Sequence, residues 1–217
     1  MPRLFIGTFL SQQDQQRLSV LPKQNEHLQS QWERRTRWVK PSKLHITWLF
    51  LGEVDEELVP KVGAALHRTL YERRTMQQES DKGDVIVEFN QPEVWPNSRK
   101  ARLIVVASKP VAKNVEALAR RIRTNLIPFY SEETELEHNQ EFKPHVTLMR
   151  LDRRVDRPGD RHAMHRIEAS VNPKKIDALE NLLPIRLTVE QVCLIESNVA
   201  GDEYRILDIA KLADSES

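Results

Sequence analysis

The chain has 217 residues, with 33 Lys and Arg against 32 Asp and Glu and a formal net charge of +1. That balance excludes a strong global attraction to nucleic acid or membrane, so any polyanion it handles must be met by a local patch. A single cysteine, Cys193, excludes an internal disulfide framework, a CxxC redox site and a cysteine-based zinc site, and suits a reducing cytoplasm.

No apolar run reaches the roughly 18 residues of a membrane span, and residues 1–7 lack the apolar length and cleavage site of a signal peptide. The six glycines form neither GxGxxG nor GxxxxGK[ST], so dinucleotide and P-loop chemistry have no support. In chain order, residues 3–9 read as a short apolar strand. A helical pattern over 14–28 is anchored by Leu18, Leu21 and Leu28, with Pro22 as a kink or break. Residues 43–49 form a second strand, and 56–73 a helix carrying Leu58, Val59, Val62, Leu66 and Leu70. The polar stretch 75–83 is a loop. Val85, Val87 and Phe89 then alternate as in a strand.

About 100 residues on, the order repeats. Residues 102–108 form a strand, and 112–126 an amphipathic helix with Val115, Leu118, Ala119, Ile122 and Leu126 on one face. An acidic loop, 131–139, precedes a strand at 143–149. The charge-dense segment 152–170 is a long excursion of the kind that is either functional or disordered. Residues 173–183 read as a helix with Pro173 in its first turn, and Ile185, Leu187 and Val189 alternate in turn. A last strand, 204–212, has no counterpart, and 214–217 is a frayed tail. A period this long is no solenoid repeat. It indicates a half-domain duplicated over roughly 3–90 and 102–192.

The echo carries chemistry. Lys43-Leu44-His45-Ile46-Thr47 stands against Lys143-Pro144-His145-Val146-Thr147, offset by 100 throughout. In a strand, residues i and i+2 share a face, so each His-Thr pair looks one way and its apolar neighbours the other. Two lobes facing each other would bring two imidazoles and two hydroxyls to one cleft. That set suits in-line displacement at phosphorus. One neutral His takes a proton from water and one protonated His gives a proton to the leaving oxygen. The Thr hydroxyls donate to nonbridging phosphate oxygens. Such a mechanism needs no metal and no cofactor.

The paired motif resembles the 2H phosphoesterases, and within them the LigT-like RNA 2′,3′-cyclic phosphodiesterases, also called 2′-5′ RNA ligases. Arg3-Leu4-Phe5-Ile6, the run from Arg37 through Thr47 with Phe50-Leu51-Gly52, Trp95-Pro96-Asn97, and the run from Phe142 to Arg150 carry the likeness. It covers the chain well to about Arg150 and loosely from Leu187 to Leu207. The resemblance implies an α+β fold. It is bilobal, with two pseudo-symmetric lobes, each an antiparallel sheet with outer helices, around a central cleft. Residues 1–217 would be one domain of two intertwined lobes. The resemblance also implies hydrolysis of a 2′,3′-cyclic phosphate to a 2′-phosphomonoester, with His45 as acid and His145 as base. Thr47, Thr147 and Arg150 would hold the phosphate. Arg150 is five positions from His145, and in a regular strand that odd spacing turns it to the opposite face. Two positions depart from the family pattern. Trp48 stands where many members carry Lys, and Glu196 where a basic residue is often seen; both would lower the positive charge near the cleft.

Arg34, Arg35, Arg37, Lys40 and Lys43 form a basic run with Trp32 and Trp38 interleaved. Trp38, Lys40 and Lys43 are candidate RNA contacts through stacking and phosphate binding, or else belong to a solvated surface with Trp38 in the core. Arg153, Arg154, Arg157 and Arg161 either reach an RNA backbone or pair with Asp152, Asp156 and Asp160. His162 and His165 have helical spacing for a metal but no third ligand. His27, His67 and His138 read as surface residues, and Cys193 as a small residue in a strand. The partner expected is RNA with a 2′,3′-cyclic phosphate end or a small cyclic nucleotide, with no membrane. Because the pseudo-symmetry is internal, a monomer is expected. The alternatives are reverse 2′-5′ ligation at the same site, or an RNA-binding module without turnover.

Overall fold

The computed structural model describes residues 1–28, 36–75, 83–98, 100–130, 141–151, 171–199 and 203–212. The basic run at Trp32, Arg34 and Arg35, most of the 75–83 loop, the acidic 131–139 loop with His138, the 152–170 excursion with its arginines and His162 and His165, and the 214–217 tail lie outside these residues.

The chain runs through β1 (Arg3–Phe9), α1 (Gln12–Leu18), α2 (Leu21–Gln24), β2 (Thr36–Trp38), β3 (His45–Glu53) and α3 (Val59–Thr75). It continues through β4 (Ile86–Phe89), β5 (Gln91–Trp95), β6 (Leu103–Ala107), α4 (Lys113–Leu126) and β7 (His145–Leu151). It ends with α5 (Leu179–Leu182), β8 (Ile185–Thr188), β9 (Gln191–Val199) and β10 (Glu203–Lys211). The sheets are ordered β10-β9-β1-β3, β2-β7-β6-β5 and β4-β8, and the pairings are antiparallel. This is the α+β class that the family resemblance implies.

Most elements follow from local pattern. The five apolar anchors of α4 are all buried, as the helical period requires. Ser11 caps α1 by accepting the Asp14 N–H at 3.1 Å. The pattern over 14–28 is divided rather than kinked: α1 ends at Leu18, and Pro22 sits in the first turn of α2, where its missing N–H costs nothing.

The expected helix 173–183 is not continuous. A 3-10 turn, Pro173–Lys175, is followed by Ala178 in the left-handed region (φ 63°) and then the short α5. Asn25, fully buried, takes both backbone groups of Asp177: its Oδ1 accepts the N–H at 2.7 Å and its Nδ2 donates to the C=O at 3.2 Å. A helix ladder there would need those same groups.

The alternating strands near 85–89 and 185–189 do not stay in separate halves. They pair with each other as β4 and β8, with Val87 opposite Leu187. The echo also extends to β5 and β9, which begin at Gln91 and Gln191. β9 from the end of the chain pairs with β1, and β5 pairs with β6. Pro92 stands in β5, the outer strand of its sheet, where a missing donor is tolerated. One large apolar cluster runs through both four-stranded sheets and the helices, and a small one joins Phe5, Cys193 and Ile195.

Candidate active site

Both His-x-Thr triplets open a strand. His45 begins β3 opposite Phe9, and His145 begins β7 opposite Ala107. Ile46 and Val146 are fully buried, while His45, Thr47, His145 and Thr147 are half-buried on the other face. β3 and β7 touch, although they belong to different sheets. Thr47 and His145 line one cavity of about 310 Å³ together with Phe50, Trp95 and Arg123. Gly7 lies opposite Thr47, where a Cβ would come within 3.0 Å of the Phe5 ring and of the Ile46 carbonyl oxygen.

The two imidazoles are held alike. His45 Nδ1 lies 2.6 Å from the Lys43 carbonyl oxygen, and His145 Nδ1 lies 2.8 Å from that of Lys143. A carbonyl only accepts, so Nδ1 carries the proton and Nε2 is left for chemistry. Their surroundings differ. His45 is packed by Phe5 (5.0 Å between ring centres), Tyr204 (5.4 Å, edge-on) and Phe9 (6.0 Å). His145 lies 4.3 Å from the Trp95 ring. Trp95 Nε1 donates to Glu93 at 2.7 Å, and Glu93 also pairs with Lys109.

Burial pulls the His45 imidazole down from 6.5 to about 4; its bond to the Lys43 carbonyl opposes this, and the charges of His145 and Arg150 add to it. Burial also lowers His145, against the Lys143 carbonyl and the Glu93 carboxylate, which favour its cation. With β3 touching β7 and Thr47 and His145 lining one cavity, both strands turn to one space, where His145 and Arg150 also bear on His45.

Arg150 reaches that space through a bulge. In the β6–β7 ladder Ile104 faces Met149 and Val105 faces Thr147, so Leu148 is an extra residue. The insertion restores Arg150 to the face of His145 and Thr147. β3 has the same irregularity at Trp48, between Ile6–Leu49 and Gly7–Thr47. The counterpart of Arg150 is therefore Phe50, which is exposed and 6.0 Å from Phe5.

The family departures are structural. Trp48 is fully buried, donates from Nε1 to Thr8 Oγ1 at 2.9 Å and stacks on Phe142. Its place requires an apolar ring, and a cation, Arg123, lies over the other ring of that stack, 5.0 Å from the centre of Phe142. Glu196 does not lower the charge of the cleft as expected. Its neighbour Ile195 packs with Phe5 on the His45 side, so Glu196 faces away, ion-paired to Arg205 at 2.5 Å.

Of the candidate RNA contacts, Trp38 is half-buried against the core in β2. Lys40 is exposed and paired with Glu203 at 2.5 Å. Lys43 is buried in a 3-10 turn with its ammonium 4.8 Å from the centre of the Tyr204 ring. His27 and His67 are exposed, beside Asp177 and Asp208. Cys193 is buried beneath the His45 aromatic cluster, its thiol pushed up to about 11 by burial. Glu93 had no mark in the sequence, and Trp95 was marked only as part of the Trp95-Pro96-Asn97 likeness, with nothing to seat it against His145. Among the described residues no three His, Cys, Asp or Glu gather as a metal site, and no helix is long and apolar enough to cross a membrane.

Comparison with known proteins agrees with this geometry. No curated protein matches the chain. Among solved structures, TT0787 of Thermus thermophilus superposes with a TM-score of 0.68 at 23% identity, over 97% of each chain. Escherichia coli LigT in apo form does so with a TM-score of 0.63 at 19% identity, over 97% of this chain and 96% of its own. Kluyveromyces marxianus Usb1 gives 0.51 at 13%, over 95% and 96%. At these identities the likeness establishes the fold. The model of the 2′-5′ RNA ligase superfamily matches residues 21–201, a span that includes both His-x-Thr strands, and the chain belongs to that superfamily of 2H phosphoesterases.

Proposed function

We propose that this chain is a phosphodiesterase that opens the 2′,3′-cyclic phosphate end of RNA to a 2′-phosphomonoester. The observation that carries this is the meeting of the two motifs: Thr47 and His145 line one cavity, and His45 feels the charges of His145 and Arg150. Superfamily membership implies phosphodiesterase or ligase chemistry, and water in large excess favours hydrolysis. E. coli LigT has been solved with phosphate and with 3′-AMP, ligands of the class this cleft would take.

In the proposed reaction the cyclic phosphate lies between the imidazoles. Its nonbridging oxygens accept from Thr47 and Thr147 and pair with Arg150. His145 Nε2 takes a proton from the attacking water, the P–O3′ bond breaks, and His45 Nε2 protonates the departing 3′ oxygen. One observation favours the reverse roles: Glu93 supports a cation on His145, while Arg150 opposes one on His45. A substrate with bridging 3′ sulfur separates the two, because a thiolate leaves without protonation. It restores turnover only to the variant that lacks the acid. The working unit is one monomeric domain of two intertwined lobes.

An oligoribonucleotide ending in a 2′,3′-cyclic phosphate tests the reaction. The expected product ends in a 2′-phosphate. A 3′-phosphate product contradicts the proposed geometry, and binding without turnover favours an RNA-binding module. Turnover of a cyclic mononucleotide alone favours the small-nucleotide alternative. Joining of two oligonucleotides would show the reverse ligation.

A further inference from the structure

The neutral total of the chain conceals one concentrated charge. A second cavity, of about 1200 Å³, is lined by Arg37, Arg102, Lys109, Lys143 and Arg150, with Glu93 as its one carboxylate among the described residues. It shares Trp95 and Lys143 with the smaller cavity that holds Thr47 and His145, so the two are adjoining parts of one depression. Its volume exceeds the roughly 300–1,000 Å³ of an ordinary small-ligand pocket.

We infer that this groove is the path of the RNA strand beyond its terminal nucleotide, binding the phosphodiester backbone over the β2-β7-β6-β5 sheet. This rests on the phosphodiesterase reading of the neighbouring cleft. Three further observations support it. Arg37 stands directly opposite Arg150 in the β2–β7 ladder, and both line the groove, so two guanidinium groups share one stretch of its wall where a single phosphate can meet both. The two halves of the fold differ where they should match. Lys43 is buried over Tyr204, whereas Lys143 is exposed in the groove; Phe50 occupies the place that Arg150 takes in the other sheet. The cations are thus gathered on one side of the cleft, which gives an incoming strand one direction. The wall also carries Val94, Trp95, Pro96 and Leu103, apolar surface of the kind on which unpaired bases pack.

The test compares Arg37→Gln, Arg102→Gln and the double variant with the parent. The substrates are a ten-nucleotide RNA ending in a 2′,3′-cyclic phosphate and a 2′,3′-cyclic mononucleotide. The double variant is expected to lower the oligonucleotide-to-mononucleotide ratio of kcat/KM about tenfold. It should also reduce the salt slope of oligonucleotide binding by about 0.7 for each phosphate the groove no longer neutralises. Arg186→Gln, in the β4–β8 sheet away from the groove, controls for loss of a positive charge as such and should leave the ratio unchanged. An unchanged ratio and slope in the double variant would overturn the groove while leaving the cleft reading intact. Fluorescence anisotropy with the same oligonucleotide bearing a 2′-phosphate reads the groove without turnover. Salt-dependent binding that the double variant weakens, in a parent that cleaves neither substrate, would support the groove and overturn the phosphodiesterase reading. Equal binding by parent and double variant would overturn the groove on its own.

Discussion

His45 and His145 share one tautomer for one reason, a carbonyl two residues earlier that only accepts, yet they titrate in different fields. Both are lowered by burial, but His145 has Glu93 to favour its cation, and His45 has Arg150 against it. Catalysis that needs one ring protonated and one neutral therefore gives a bell-shaped kcat/KM profile whose maximum lies on the acid side of 6.5. Glu93→Gln removes a group that raises His145, so the limb governed by His145 should move to lower pH while the limb set by His45 stays. A pH–rate profile of the two proteins checks this, and an unmoved pair of limbs would contradict it. The His and Thr positions were legible in the sequence because strand alternation alone fixes their shared face. Glu93 was not, since nothing local says that its carboxylate will hold the indole that packs on His145.

At the scale of elements, the bulge at Leu148 decides what Arg150 can do. The regular period of two assigns Arg150 to the face away from His145, and one extra residue in the β6–β7 ladder reverses that. No residue type marks such an insertion, so the strand was legible and its phase was not. Arg150→Gln should reduce kcat/KM by about 100-fold, the order expected for losing one preorganised donor to transition-state charge. Its thermal midpoint should stay near that of the parent, because the side chain is exposed. A fall in midpoint with activity retained would make Arg150 structural instead. The helices divide in the same way. α4 was legible because its five anchors repeat at helical spacing and all find the core. The segment 173–183 was not, because Asn25, 152 residues before Asp177, withdraws that residue's backbone from any ladder.

Across the whole molecule, the two stretches of sequence that echo each other at 100 residues are entangled in the fold. β9 is hydrogen-bonded to β1, β2 to β7, and β4 to β8, each joining residues from opposite halves of the sequence. With one large apolar cluster shared by both four-stranded sheets, neither half keeps its core without the other. Unfolding should accordingly be a single transition, with far-ultraviolet circular dichroism and tryptophan fluorescence coinciding in urea. Two separated transitions would mean that the halves are independent. Pairing of this kind is set by long-range register, so residue spacing alone showed the repeat, and the intertwining was implied only by the family resemblance. The account as a whole turns on two imidazoles from two strands acting on one phosphorus. The most direct test is turnover of a 2′,3′-cyclic phosphate RNA end, with a chelator present, by the parent, His45→Ala and His145→Ala. The account predicts chelator-resistant cleavage by the parent and a loss of roughly 10²-fold or more in each variant. Parental rates in both variants would contradict it.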